Sequence, residues 1–99
     1  MSQTTILETA VPHDIYLTLQ SRGLYREVLA DQSKRLLAIR FYQDRILSLG
    51  QSARLAGMRR WDFIELLGKY QVPVIDYTPE ELEAEFKASD QLMKSLSMG

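Results

Sequence analysis

Leu49-Gly50-Gln51-Ser52-Ala53-Arg54-Leu55-Ala56-Gly57-Met58-Arg59-Arg60-Trp61-Asp62-Phe63-Ile64-Glu65-Leu66-Leu67 is the stretch on which the reading of this chain turns. Two short helices joined by a tight turn are legible in it. Ser48 can cap a helix that runs from Leu49 to about Ala56. Gly57 stops that helix, because a chain reversal favours positive φ and glycine adopts it without steric cost. Met58-Arg59 makes the turn, and a second helix runs from Arg60 to Leu67 with Gly68 as its terminator. Small Ala53 sits where the two helices approach, Met58 plugs the angle between them, and Phe63, Leu66 and Leu67 face inward. This is the pattern of a helix-turn-helix. The spacing alone fits a plain helical hairpin inside a core equally well.

Charge weighs between those two readings. From Arg45 through Trp61 there are four arginines and no acid, which is the kind of patch that phosphate contacts require. The candidate DNA-binding residues are therefore Arg45, Arg54, Arg59, Arg60 and Trp61. Asp62 and Glu65 count against the reading, since carboxylates repel phosphate and read only cytosine amino groups well. Trp61 and Ile64 are unusual base readers, and Trp61 has a simpler role in the core or packed against a second copy.

Outward on the N-terminal side, the long element from about Leu24 to Leu47 carries Val28, Leu29, Leu36, Ile39 and Ile46 at helical spacing, with arginines and Lys34 on its polar face. Asp31-Gln32-Ser33 is a weak point where it can break in two. Before it, Pro12 opens a short helix that stops at Gly23. The β-branched run from Thr4 to Val11 reads as a short strand. A strand needs a partner, either the later extended segment or the same strand of a second copy. The latter would allow a ribbon-type DNA reader presenting Thr5 and Leu7, or Thr4 and Ile6, which ranks below the helix-turn-helix because those side chains are largely apolar.

On the C-terminal side, Gln71 to Tyr77 reads as a short extended segment, its Pro73 placing it at an edge. Thr78-Pro79-Glu80-Glu81 then starts a helix: Thr78 caps, Pro79 is the first helical residue, and Glu81 completes a capping box. That helix runs to about Leu96 with a narrow stripe of Leu82, Phe86, Leu92 (or Met93) and Leu96. The expected fold class is thus mainly α, with a short N-terminal β-strand, a helical body holding a helix-turn-helix, a short extended segment and an acidic C-terminal helix. Residues 1–70 form the body and 71–99 the tail, within one domain overall.

Length and composition agree. Ninety-nine residues, 45% of them hydrophobic and 25% charged, suit a single core. The net charge of −1 hides a gradient: residues 1–70 carry ten basic and seven acidic side chains, residues 71–99 two basic and six acidic. There is no cysteine and one histidine, His13, whose simplest role is a solvated residue at a helix start. No nucleophile–base pair, metal set or phosphate loop can be assembled, so neither an enzyme nor a cofactor is expected. The cluster of Tyr16, Tyr25, Phe41 and Tyr42 reads as packing. The N-terminus lacks the features of a signal segment and the longest uncharged run, Ile46 to Ala53, is far short of a membrane span. No membrane association is expected, and the cytoplasm is the expected location.

The block from Ser48 to Gly68, centred on Leu55-Ala56-Gly57-Met58 and Trp61-Asp62-Phe63-Ile64, resembles the signature of a small prokaryotic family, uncharacterised protein family 0175. So do Val72-Pro73-Val74-Ile75-Asp76-Tyr77 with the acidic helix behind it, and the preceding helix ending near Phe41-Tyr42. The resemblance implies a helix-turn-helix antitoxin that pairs with a PIN-type nuclease toxin, binds double-stranded operator DNA as a homodimer, and represses its own promoter. Members often carry an alanine where this chain has Ser52, preceded by a lysine where it has Gln51, a departure that bears on DNA affinity. On this view the basic body sits on DNA and the tail lies across the toxin, with Leu82, Phe86 and Leu92 as anchors in a groove. Lys87 or Lys94 would enter the nuclease's acidic site. The competing class is a protein-interaction module whose helix-turn-helix never touches DNA. A stand-alone regulator would lack a ligand-binding domain at this length.

Overall fold

A computed structural model describes residues 3–98, with side chains described through residue 96. Residues 1, 2 and 99, at the ends of the expected body and tail, lie outside the described residues. Five helices follow one another: α1 (His13–Ser21), α2 (Arg26–Gln43), α3 (Leu49–Ala56), α4 (Arg60–Lys69) and α5 (Pro79–Met98). The chain divides into two compact units, the first ending at Ala30 and the second beginning at Asp31.

The expected N-terminal strand is not there. Residues 3–12 adopt no regular element and are exposed throughout, Ile6 at 85%. The Gln71–Tyr77 segment is likewise no strand, so among the described residues no β-structure exists and the class is simply α. The physical reason is pairing. β-Branched residues favour extended backbone, but a strand persists only where its N–H and C=O groups find a ladder. Neither segment forms a ladder among the described residues. The second segment is held instead by its side chains: Val72 is buried, and Val74 and Tyr77 pack against the core.

Within the first unit, Pro12 precedes α1 and no residue of that helix is buried. The Arg26 guanidinium lies 5.9 Å from the centre of the Tyr16 ring. Within α2, Asp31-Gln32-Ser33 causes no break; the helix is continuous.

The second unit holds the core. Ala38, Ile39 and Tyr42 from the end of α2 meet Leu49, Ala53 and Ala56 of α3, Phe63 and Leu67 of α4, and Val72. Phe63 is at its centre with no exposed surface, and its ring meets Tyr42 edge-on at 6.3 Å. Tyr42 reaches across the core boundary to donate a hydrogen bond to Asp76. Burial first, and then this carboxylate, push the Tyr42 phenol up to about 12 from its ordinary 10.0. The folded state thus holds this proton more tightly than the unfolded chain does, so the contribution is complete below pH 10 and is lost as pH rises through 12. Urea unfolding of Tyr42→Phe should show a loss of about 1.5 kcal/mol at neutral pH, and a shallower decline in stability above pH 10.

Four helices end in one way. After each, the amide just past a residue of positive φ donates back five residues: Leu24 to Leu19, Ile46 to Phe41, Met58 to Ala53, and Val72 to Leu67. This is the Schellman arrangement, in which one residue turns left-handed and the next apolar residue folds back on the helix. Gly23 and Gly57 fill the left-handed position after α1 and α3, but Arg45 and Gln71 fill it after α2 and α4, at φ of 60° and 58°. Gly68, expected to end α4, lies inside the helix.

Ser52 is the one buried polar side chain among the described residues, and its Oγ has no hydrogen-bond partner. An orphaned hydroxyl in a core costs about 1–2 kcal/mol, and alanine is the better helix former. Ser52→Ala should therefore raise the melting temperature by roughly 5 °C or more, read by circular dichroism.

Candidate functional site

The turn between α3 and α4 builds a cleft. Ser48 caps α3 by accepting from the Gln51 amide at 3.1 Å, while the Gln51 side chain accepts from the Ser48 amide at 3.0 Å. Gln51 thus completes a capping box. A lysine there carries no acceptor and could not make the second bond. Gly57 reverses the chain at φ 70°, and α4 begins at Arg60. The cleft left between the two helices has a volume of about 430 Å³. Ser48, Gly50, Gln51, Arg54, Arg59 and Arg60 line it, and no carboxylate does. Three cations beside the positive end of the α3 dipole make this an anion-attracting surface.

The three arginines differ in what holds them. Arg59 donates to Asp62 through Nε at 2.8 Å and Nη2 at 3.3 Å. The Asp62 hydrogen bond, opposed by a smaller desolvation cost, raises the guanidinium above its ordinary value. Arg60 donates through Nη1 to Glu85 of α5 at 3.5 Å. Its guanidinium also lies against the first turn of α3, where a Cβ on Gly50 would meet Nη2 at 3.4 Å. Arg54 is exposed and has no acidic partner among the described residues.

Of the five residues expected at a DNA surface, the structure therefore brings Arg54, Arg59 and Arg60 to one cleft. Arg45 does not line it; exposed, it forms the left-handed cap of α2. Trp61 is half-buried with its ring against Phe86 of α5, the centroids 5.2 Å apart. Of the expected partner-binding residues, Leu82 is half-buried, while Phe86 and Leu92 are 48% and 46% exposed. Lys87 pairs with Glu83 at 3.3 Å and Lys94 with Asp90 at 3.2 Å along the same helix. The Thr78–Glu81 capping box that starts α5 is present, with bonds of 2.9 and 3.1 Å.

Sequence reasoning missed Gln51, Gly50, Tyr77 and Glu85. The Ser48–Gln51 spacing is a readable capping box. Nothing local marks the others. Tyr77 sits beside Arg60 and Glu85; burial pushes its phenol up, with Arg60 opposing the rise and Glu85 adding to it. Among the described residues no group of three or more His, Asp or Glu could hold a metal ion, and no helix is long and apolar enough to cross a membrane.

Fold and site together define a small all-helical protein with a basic interhelical cleft and an acidic terminal helix. The chain belongs to the uncharacterised protein family UPF0175, whose model matches residues 2–91. It is similar to a UPF0175 protein of Aeropyrum pernix, 41% identical over 56 residues, a match spanning 57% of this chain and 62% of that relative. No solved structure matches the chain.

Proposed function

We propose that the chain is the antitoxin of a toxin–antitoxin pair, which binds operator DNA through the α3–α4 cleft as a homodimer and neutralises a PIN-type nuclease through α5. The observation that carries this reading is the acid-free cleft lined by Arg54, Arg59 and Arg60 at the capped start of α3. A phosphate seated there would meet three guanidinium groups at the positive end of a helix. The apolar residues late in α5 support the second half of the reading. Leu92, Met93 and Leu96 lie 46–68% exposed on one helix, as a groove-docking segment requires. Neither role calls for a catalytic group of the chain's own.

One observation favours the alternative, an interaction module that does not bind DNA. Asp62 and Glu85 already occupy two of the three arginines, and Phe86 occupies Trp61. The test is co-expression with the product of the adjacent reading frame in a growth assay. The full chain should restore growth against a toxic nuclease, and the chain lacking residues 78–99 should not. Neutralisation by the shortened chain would remove α5 from the mechanism.

A further inference from the structure

Arg60 belongs to two places at once. It lines the basic cleft, lying against Gly50 of α3, and it donates to Glu85 of α5. Its neighbour Trp61 packs on the neighbour of Glu85, Phe86. Two successive residues of α4 therefore hold two successive residues of α5. Leu82 before that grip is half-buried, but after it α5 has little purchase, since Leu92, Met93 and Leu96 are exposed. The Arg60 and Glu85 side chains are themselves 57% and 21% exposed, and ion pairs open to water contribute little stability.

We propose that α5 is a mask on the cleft. The Glu85 carboxylate competes with a nucleic-acid phosphate for the Arg60 guanidinium, so that docking of α5 on α4 and seating of a phosphate beside α3 oppose one another. This rests on the reading of the cleft as a nucleic-acid site. Arg60 gives Nη1 to Glu85 while Nη2 faces Gly50 in the cleft, so the carboxylate competes by neutralising and anchoring a guanidinium that a phosphate would otherwise draw fully into the cleft. The opposition is reciprocal: whatever draws α5 away from α4 strengthens phosphate binding by the same factor that phosphate binding weakens the hold on α5. Trp61–Phe86 makes the release a movement of the helix and not of one side chain.

The test titrates the full chain with a short labelled duplex of mixed sequence at low salt. Glu85→Gln should bind roughly three- to tenfold more tightly than wild type, with a salt slope steeper by about one. Phe86→Ala, which changes no charge, should also tighten binding. In an Arg60→Ala background Glu85→Gln should give no gain, as a double-mutant cycle requires. Wild-type affinity in Glu85→Gln, no gain in Phe86→Ala, or a gain that survives the loss of Arg60 would each overturn the mask while leaving the cleft's role in place. Failure of wild type and every variant to bind duplex would overturn the nucleic-acid reading, and the mask with it. Circular dichroism of each variant establishes that the helices are intact.

Discussion

Phe63→Ala is expected to unfold the second unit at temperatures where the wild-type chain is fully native. Phe63 is wholly buried where α2, α3 and α4 meet, edge-on to Tyr42. Truncating a buried phenylalanine costs about 3–5 kcal/mol, through lost transfer energy and the cavity left behind. A domain of this size has a stability of only about 5–10 kcal/mol, and this core rests on nine buried hydrophobic residues among those described. The melting temperature should fall by about 20 °C. Ile6→Ala, at a side chain 85% exposed, should leave it unchanged. If both variants melted alike, the core would not lie where α3 and α4 place it.

The second large effect concerns the cleft. Arg54→Ala combined with Arg60→Ala should weaken binding to duplex DNA by more than tenfold at moderate salt, and should flatten the dependence of log affinity on log salt by about two. The loss should be similar for all sequences, because phosphate contacts position the protein without reading bases. Arg59→Ala should have the smaller effect, since the two hydrogen bonds it donates to Asp62 already take much of the Arg59 charge. None of the three changes touches the buried core, so thermal stability serves as the control. A selective loss at one sequence would instead place these arginines on base edges.

What the sequence disclosed follows the range of the interaction concerned. Ser48, Gly57 and the Thr78–Glu81 box mark helix ends through bonds that span three to five residues, and α3 and the starts of α4 and α5 fall where those residues put them. Gln71 and not the expected Gly68 takes the left-handed turn after α4, because folding apolar Val72 into the core offsets the strain, and Arg45 takes the same turn after α2 although Ile46 behind it is 65% exposed. The strand at Thr4 to Val11 misled because β-propensity records a preference for extended backbone and carries no information about a partner. The cleft was half legible. An acid-free run of arginines can be read directly. The Glu85 and Phe86 that engage Arg60 and Trp61 lie twenty-five residues further on in another helix. Only the fold brings them there.

The central claim is that the α3–α4 cleft holds DNA phosphates. The most direct measurement is the salt dependence of binding between the wild-type chain and duplex from the region upstream of its own gene, beside a scrambled duplex of equal length. The account predicts binding to both duplexes that weakens steeply with salt, with tighter binding to the upstream sequence. Binding that is absent at low salt, or that does not change with salt, would contradict it.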